Sequence, residues 1–354
     1  MRPLLQDSLN LQILKLLCSG VGVGINSTEL SKMFGSHRNT IKTKASKLFE
    51  HKILDRPFYP FSLFDKLPLV VIEKAEFIRD KKTNTFIEED PFIWAAFFAK
   101  EEAYNTFLIE FHKDIHSYQN WKENIINERK VTLIESSFPS ETIFLSAKSL
   151  IKYNPSASAK ILEKNYKNGY HDQLSGLKMD DFVLNLMTHL LEGKGIRTNE
   201  SIIARKLDVH RRTVLARIRR LLHEKIILPP VCHFPRVWVP PEYFLVFSLL
   251  KIKKKRDLVL RTLKNDPHIS VMFNTFWGQY NLAIFSTFYT IEDYLKWSEE
   301  YDQRFPECIE AVKNTYLSPA MTFSIAQNYV TLTFLENLIK TIKGEELLEL
   351  MKGK

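Results

Sequence analysis

The chain has 354 residues, of which 45% are hydrophobic, so it can bury cores in about two to four domains. Its formal net charge of +9 at pH 7 and its sequence pI of about 9.2 suit a protein that meets nucleic acid or another acidic surface. A merely basic soluble protein has the same balance, so the clustering of the basic residues is more informative than their number.

The three cysteines, Cys18, Cys232 and Cys308, are an odd number and form no CxxC pair. This argues against a disulfide framework and a zinc ribbon, and it indicates a reducing cytoplasm. No apolar run approaches the ~18 residues that span a bilayer. The first residues, Met-Arg-Pro-Leu-Leu-Gln-Asp, lack the layout of a signal peptide. We therefore expect a cytoplasmic protein that does not cross a membrane.

Residues 1–65 have the element order of a winged helix-turn-helix. Apolar residues recur with helical spacing over residues 4–19, and a short helix is predicted over Glu29–Phe34. Gly35-Ser36 is the predicted turn, and a basic helix follows it to about His51. A short strand and loop come next, in the place of a wing.

Residues 66–138 change to a strand pattern that predicts a degenerate ferredoxin-like sandwich. Its first helix, around Arg79–Asp90, is poorly patterned. The other predicted elements are strands over Pro68–Ala75, Phe92–Ala99, Tyr104–Phe111 and Lys130–Ser137, and a helix over Ile115–Ile126. Residues 139–178 are predicted to be a connector, in which Ser140–Ile151 could form either a strand or a helix.

The second half of the chain repeats this order. Residues 179–241 are predicted to form a second winged helix-turn-helix, with Ile226–Pro241 as its wing. Residues 242–327 are predicted to form a βαββαβ sandwich of the ferredoxin-like type. Its elements are Tyr243–Ile252, Arg256–Lys264, His268–Phe276, Tyr280–Thr287, Thr290–Arg304 and Cys308–Tyr316. Residues 328–354 complete the chain as a predicted amphipathic helix.

Matched residues in the two halves indicate an internal duplication. Phe34–Ile53 aligns without gaps with Leu207–Ile226, at an offset of 173 positions. In the strand-rich parts Asp90 matches Asp266, Tyr104-Asn105 matches Tyr280-Asn281 and Trp121 matches Trp297, all at an offset of 176. The sequence therefore predicts an α+β fold with two tandem copies of a winged helix-turn-helix and a ferredoxin-like sandwich. We expect the two sandwiches to pair as an internal pseudo-dimer.

The two basic helices carry the strongest functional signal. From Val209 to Lys225 there are six Lys or Arg residues and one acidic residue, Glu224, and this bias suggests that the helix faces a polyanion. Val214, Ile218 and Leu221 form one apolar stripe, which Ile41, Ala45 and Leu48 repeat in the first copy. The predicted DNA-binding residues are His37, Arg38, Asn39, Thr40, Lys44 and Lys47, with His210, Arg211, Arg212, Thr213, Arg217 and Arg220.

Each candidate also has a structural interpretation. The helix-turn-helix could serve only as a scaffold or docking surface. His37 and His210 stand at matched helix starts, where capping or phosphate contact is more common than catalysis. Phe273, Trp277 and Tyr280 could line a ligand cleft, although aromatic residues in strands more often belong to the core. We find no phosphate loop, metal cluster or nucleophile motif, so neither a cofactor nor a metal is expected.

A winged helix-turn-helix followed by a βαββαβ sandwich resembles the Lrp/AsnC family of bacterial and archaeal regulators. The residues that carry the resemblance are Ile202–Ile226 and the strand Tyr280-Asn-Leu-Ala-Ile-Phe with its flanking helices. The resemblance implies a sandwich that dimerises and senses an amino acid, and paired helix-turn-helix domains that bind two half-sites. The family's sensing loop has the form Thr-Gly-x-x-Asp. Here Trp277-Gly-Gln-Tyr-Asn and Lys100-Glu-Glu-Ala-Tyr-Asn stand in its place, so effector binding stays open.

The architecture is also similar to that of the siroheme decarboxylases, which occur as fused pairs of such halves and use histidine and arginine near the sandwich cleft. This chain has Leu228-Pro-Pro-Val-Cys-His-Phe after the wing instead of an Arg-x-Gly-Ala stretch, and no histidine directly precedes Tyr280-Asn281. We therefore predict a sequence-specific DNA-binding transcription regulator of the Lrp/AsnC type that is not an enzyme. A tetrapyrrole enzyme and a protein-interaction scaffold are the alternatives. The expected partners are double-stranded DNA and, beyond the internal pair, further copies of the chain.

Overall fold

The structure, a computed structural model, combines helices with antiparallel sheets, so the predicted mixed class is confirmed. It describes residues 23–25, 27–51, 67–99, 103–128, 130–132, 140–153, 173–174, 177–178, 180–182, 196–198, 200–224, 230, 239, 243–275 and 278–318. The predicted helix at residues 4–19, both wings, most of the connector and the C-terminal helix lie outside these ranges. So do Phe276 and Trp277.

Two helix pairs form at the positions predicted for the helix-turn-helix motifs. In the first half they are α1 (Ser27–Phe34) and α2 (Arg38–Glu50). The turn between them contains Gly35 with a φ of 58°, a left-handed conformation that glycine adopts without a steric cost. The buried residues of α2 are Ile41, Ala45 and Leu48, the predicted apolar stripe.

The second half contains the matching pair, α5 (Glu200–Leu207) and α6 (Arg211–His223). Asp208, which aligns with Gly35, has a φ of 51°, so both turns place a residue in the left-handed region at the same point. Val214, Ile218 and Leu221 are buried, as the sequence predicted. The spacing of these apolar residues therefore fixes which face of each basic helix packs inward.

The first sheet is flanked by two helices. Its elements are β2 (Leu69–Ala75), α3 (Lys81–Glu89), β3 (Ile93–Phe98), β4 (Thr106–His112), α4 (Ile115–Asn127) and β5 (Ser140–Ser146). The strand order is β3-β4-β2-β5, and all the pairs are antiparallel. Asp80 begins α3 by accepting a hydrogen bond from the backbone of Thr83, at 2.7 Å, and the helix buries Thr83 and Ile87.

The fourth strand of this sheet lies where we expected a connector. Ser140–Ser146 pairs along its whole length with β2, whereas Val131 and Thr132 are not in a strand and residues 133–139 lie outside the description. Within β5 the alternation typical of a strand is limited to buried Ile143, exposed Phe144 and buried Leu145. The residues at both ends of the strand are polar, so the sequence pattern covers only three positions. The first strand-rich unit therefore extends past residue 138, to Ser146.

The second sheet has the same element order. Its elements are β10 (Phe244–Ile252), α7 (Arg256–Asn265), β11 (Ile269–Asn274), β12 (Leu282–Phe288), α8 (Ile291–Arg304) and β13 (Ile309–Leu317). The strand order is β13-β10-β12-β11-β6. The additional strand, β6 (Leu150–Tyr153), follows β5 after a single 3-10 turn, so the chain passes from the edge of the first sheet to the edge of the second.

Two polar interactions recur at matched positions. The side-chain amide of Asn105 exchanges hydrogen bonds with the backbone of Phe77, and that of Asn281 does the same with Ile252. Likewise, the indole of Trp121 donates to Asp90 at 3.1 Å, and that of Trp297 donates to Asp266 at 2.7 Å. The sequence matches therefore correspond to equivalent contacts.

Aromatic side chains join the two sheets on the faces that their helices leave open. The rings of Phe107 in β4 and Phe247 in β10 lie 5.4 Å apart. Phe97 packs on Phe107 in the first sheet, and Phe285 packs on Phe247 in the second. All four are at most 2% exposed. We call these four residues the inter-sheet cluster. At the sheet margins an ion pair of 2.6 Å joins Lys313 to Glu141.

The helix-turn-helix parts also contact each other. The short strands β1 (Val23–Ile25) and β9 (Ile196–Thr198), each ahead of its helix pair, run antiparallel. Phe34 of α1 packs on Phe182 of the second half, with ring centroids 5.3 Å apart. A further two-residue pair, β7 (Gln173–Leu174) with β8 (Leu177–Lys178), lies between the halves along the chain.

Shortening Phe107 should test the inter-sheet cluster. We expect Phe107→Ala to lower the free energy of unfolding by about 3–5 kcal/mol, because it removes a fully buried ring and leaves a cavity. Phe144→Ala is the matched control: the same atoms are lost from a side chain that is 37% exposed, so the loss should be less than half as large. Urea denaturation of both variants measures this difference. Equal losses would contradict the assigned role of the cluster.

Candidate functional site

The basic face of α6 is the first candidate site. Val214, Ile218 and Leu221 bury the opposite face of this helix, so the basic side chains point away from the packed face. Arg212 and Arg220 are exposed and form no ion pair with any residue that the structure describes. Arg217 and Thr213 are half-buried, and Arg217 has a contact within the chain.

Arg211 has a local partner. Its guanidinium lies 3.2 Å from the carboxylate of Glu200, at the start of α5. In the first half Arg38, at the matched position, donates to the hydroxyl of Ser27 at 3.3 Å. These two arginines therefore join the helices of each motif to each other.

The first half presents fewer available cations. Asn39, Thr40 and Lys47 are exposed on α2. Lys44 instead forms a 2.8 Å ion pair with Asp180, and its ammonium lies 4.8 Å from the ring centroid of Phe182. Lys44 therefore contacts the second half of the chain.

His37 and His210 cap the two basic helices. The Nδ1 atom of His37 accepts from the backbone of Asn39 at 3.3 Å, and that of His210 accepts from Arg212 at 3.2 Å. These bonds satisfy one of the free N–H groups at each helix start. The capping interpretation of the sequence is therefore seen in both halves.

The predicted aromatic cleft is only partly described. Phe273 is 2% exposed within β11, and Tyr280 is half-buried with contacts inside the chain. Trp277 lies outside the described residues. Phe273 therefore has the burial of a core residue.

The first sheet unit contains a buried polar cluster that the sequence did not predict. We define the polar cluster as five residues between the sheet and α4: Glu73, Glu110, His112, Tyr118 and Lys122. One carboxylate oxygen of Glu73 lies 3.0 Å from the ammonium of Lys122, and the other accepts from the Tyr118 hydroxyl at 3.1 Å. His112 Nε2 lies 3.1 Å from Glu110 Oε2.

Burial changes the protonation of this cluster. The pKa of Glu110 is raised well above its ordinary value of 4.5, first by loss of hydration and then by the nearby charges of Glu73 and Asp90. Burial lowers the pKa of His112 to about 4. Burial also raises the pKa of Asp90 and that of Tyr118. Burial therefore keeps His112 neutral at pH 7 and makes the neighbouring Glu110 hold its proton to a higher pH than an exposed glutamate; we call Glu110 and His112 the buried pair.

The second unit lacks the polar cluster. At the positions matched by sheet register and helix start, it has Ser248, Ser286, Phe288, Tyr294 and Ser298. Without the lysine, a small apolar cavity of about 20 Å³ remains beside Tyr294 and Ser298, room for about one water. One ring pair has also exchanged its members. Phe92 stacks on His112 at 4.9 Å in the first unit, and His268 stacks on Phe288 at 4.6 Å in the second.

A signal for the polar cluster was present in the sequence. Glu73 and Glu110 are acidic residues within strands that are mostly apolar. Comparing the two halves position by position would have paired them with serines. Buried ionisable groups cost folding free energy unless they are paired, so such a substitution marks a candidate functional position.

A groove lies next to the polar cluster. It has a volume of about 490 Å³ and runs between the α3–β3 turn and the first half of α4. Phe92, whose ring stacks on His112, lines this groove together with Trp121 and Asp90. The buried pair is thus separated from the groove by one aromatic ring.

Comparison with known proteins gives structural similarity only. No protein family model matches the chain, and no curated protein matches its sequence. The crystal structure of the siroheme decarboxylase NirDL has 12% identity and a TM-score of 0.47, covering 95% of this chain and 100% of its own. The complex of NirDL with an iron-uroporphyrin III analogue has 13% identity and a TM-score of 0.48, covering 94% and 98%.

Transcription regulators match a smaller part. The structure of AsnC from E. coli has 19% identity and a TM-score of 0.28, covering 39% of this chain and 91% of its own. At these identities and TM-scores the similarities assign no activity. They do correct one expectation: the prediction that the chain is not an enzyme is wrong, because the two matches that span both chains are structures of an enzyme.

Two further features concern only the residues that the structure describes. Within them no helix has the length and hydropathy required to cross a bilayer. The same residues contain no group of three or more His, Cys, Asp or Glu side chains arranged to hold a metal ion.

Measuring the stability of Glu110→Gln at several pH values should separate the contribution of Glu110 from that of His112. A raised carboxyl pKa means that the unfolded chain releases the Glu110 proton first, so stability falls as pH rises from 4.5 to the folded pKa. A lowered imidazole pKa means that stability falls as pH drops from 6.5 to about 4. The two effects oppose each other between pH 4.5 and 6.5.

We therefore expect Glu110→Gln to remove the contribution that weakens as pH rises above 4.5. The contribution of His112 then stands alone, so the stability of the variant should decline as pH drops from 6.5 to about 4. Urea denaturation at acidic, neutral and mildly alkaline pH measures both changes. Glu123→Gln, an exposed substitution on α4, is the control and should follow the parent chain. The same pH profile in parent and Glu110→Gln would mean that Glu110 is ionised in the folded protein.

Proposed function

We propose that the chain is a sequence-specific DNA-binding transcription regulator with two helix-turn-helix reading heads. In this proposal it consists of two tandem copies of a winged helix-turn-helix and a ferredoxin-like sandwich. The heads are residues 1–65 and 179–241, and the second sandwich is 242–327. The first sandwich begins at residue 66 and includes β5, and residues 328–354 form a C-terminal helix. The equal element order of the two sheets and their shared Asn and Asp–Trp contacts support a duplication.

The observation that carries this proposal is the exposed arginine pair of α6. Arg212 and Arg220 stand on the face opposite a fully buried stripe, on a helix that His210 caps. Arginine offers two parallel donors, which suits both a guanine edge and a phosphate group. In helix-turn-helix proteins the second helix of the motif lies in the major groove with its exposed face toward the DNA.

The two heads are expected to contribute unequally. In the first, Lys44 is held by Asp180 and Phe182, and the remaining positions are Asn39, Thr40 and Lys47. A lysine acts mainly as a point charge toward phosphate, whereas an arginine can also read a base. The second head should therefore provide most of the sequence discrimination, and the first should mainly add affinity.

Replacing the arginine pair should weaken DNA binding. We expect Arg212→Ala/Arg220→Ala to lower affinity for duplex DNA by about tenfold or more, and to reduce the slope of log affinity against log salt by about two. Fluorescence anisotropy at several salt concentrations measures both quantities. Selection from random duplexes by the parent chain supplies the target sequence.

The control removes the same charge from the neighbouring helix. Arg205 and Lys206 are exposed on α5, so Arg205→Ala/Lys206→Ala changes net charge equally and leaves α6 intact. It should reduce affinity much less. If both variants lose affinity equally, general charge rather than the α6 face holds DNA. If neither changes it, the helix-turn-helix is a scaffold.

A second candidate function is an enzyme that acts on a tetrapyrrole. The observation that favours it is the polar cluster of the first unit, which the second unit replaces with serines and a phenylalanine. A carboxyl group whose pKa is raised by burial and that contacts an imidazole can exchange a proton with it, which is the task of a general acid–base pair. The groove on the other side of Phe92 would give a substrate access to that region.

This candidate is tested by incubating the full chain with siroheme under reducing conditions and following loss of CO2 by mass spectrometry. Activity is expected to disappear in Glu110→Ser/His112→Phe, which installs the residues of the second unit, and to persist in Arg212→Ala/Arg220→Ala. Unchanged siroheme with the parent chain would eliminate the second candidate and leave the DNA-binding proposal unaffected.

A further inference from the structure

The groove of the first unit has a rigid aromatic floor. The Trp121 indole is 6% exposed and donates to both oxygens of Asp90, at 3.2 and 3.1 Å. The same carboxyl accepts from the backbone N–H of Phe92 at 2.9 Å. Since the ring of Phe92 is stacked on His112, both aromatic side chains are held in place before any ligand arrives.

Basic side chains and side-chain amides surround the groove. Lys113, His116 and Lys130 supply donors, and Asn120 and Asn124 supply side-chain amides. Lys130 has a surface ion pair of 2.9 Å with Glu128, which is exposed and therefore weak.

Two acidic residues line the groove, Asp90 at its floor and Asp114 at its rim. Asp114 caps α4 by accepting from the backbone of Ser117 at 2.7 Å, which occupies one oxygen of its carboxylate. At the rim Lys113, His116 and Lys130 outnumber this one acid.

The second unit carries different charges at the positions that correspond to the rim. The framework is the same, since Asp266 accepts from Trp297 at 2.7 Å. At the helix positions 176 residues later, however, His116 is replaced by Glu292 and Asn124 by Glu300. Asp293 also replaces Ser117 and Lys296 replaces Asn120, so these four positions gain three acids and one base in the second unit. The charge of the rim therefore differs between the copies while its support is kept.

We propose that this groove binds a small planar molecule that carries a carboxylate. The flat body would rest on Phe92 and Trp121, and the carboxylate would meet Lys113 and His116. A volume of about 490 Å³ is within the range of small-molecule sites. The inference does not depend on DNA binding, because it uses none of the α6 arginines. It shares the groove with the tetrapyrrole candidate but requires no proton transfer by Glu110 or His112, so binding without reaction would support it alone.

The test uses two probes with the same ring and opposite charge, indole-3-acetate and tryptamine, titrated calorimetrically into the full chain. We expect indole-3-acetate to bind and tryptamine to bind at least about tenfold more weakly. In His116→Glu/Asn124→Glu, which copies the second unit, affinity for indole-3-acetate should fall at least about tenfold. Both substitutions are at exposed positions, so the fold should persist, which circular dichroism and thermal melting check.

The matched control is Gln119→Glu/Asn127→Glu, which adds the same charge to exposed positions of α4 outside the groove. It should bind indole-3-acetate like the parent. The proposal is overturned if the parent does not bind indole-3-acetate, if tryptamine binds equally well, or if both double variants lose binding together. A further outcome also overturns it: the parent binds neither probe, and His116→Glu/Asn124→Glu loses affinity for DNA. In that case the rim contacts phosphate groups.

Discussion

The packing of one sheet on the other is the contact on which the arrangement of this molecule depends. Each sheet has helices on one face only, so its other face would expose a row of large apolar side chains. Phe107 and Phe247 meet on those open faces and exclude water from both. Burial of aromatic area of this kind is the main favourable term available to two half-covered sheets. The strand pair β1–β9 and the Lys44–Asp180 ion pair add weaker connections between the helical parts.

If the two units arose by duplication, as we propose, this arrangement would keep them together while their interiors changed. The contacts that shape each unit are kept: an asparagine amide beside the first strand, an Asp–Trp bond between the α–β turn and the last helix, and a stacked histidine–phenylalanine pair whose members have changed places. The residues between the sheet and the last helix differ between the units. Glu73 and Lys122 form an ion pair in the first unit, and the second unit has serines and a small cavity at the corresponding place. A buried ion pair contributes little to stability compared with apolar packing, so stability does not account for this difference.

Residue periodicity was sufficient to predict most elements because it reports which face of an element is buried. The stripe Val214, Ile218 and Leu221, the helix starting near Ile115, and the order of strands and helices along the second unit all followed from it. It gave no decision at β5, where only Ile143–Leu145 alternate, and only a weak signal at α3, where the buried residues are Thr83 and Ile87. The engagement of Lys44 could not be predicted because its partners, Asp180 and Phe182, are remote in sequence and belong to the other copy.

The position of charge distinguishes the functions that this architecture could support, because a shared fold does not specify one. Charge on the outside of α6 is available to a polyanion and needs no change in the protein to meet it. Charge inside the first sheet unit can act only on a proton or on a molecule that reaches the groove beside Phe92. These two sites lie on different elements and use different residues, so neither function requires the other to be absent. A regulator whose first sandwich also recognises a small molecule would use both, with the inter-sheet cluster as the direct physical connection between the two units.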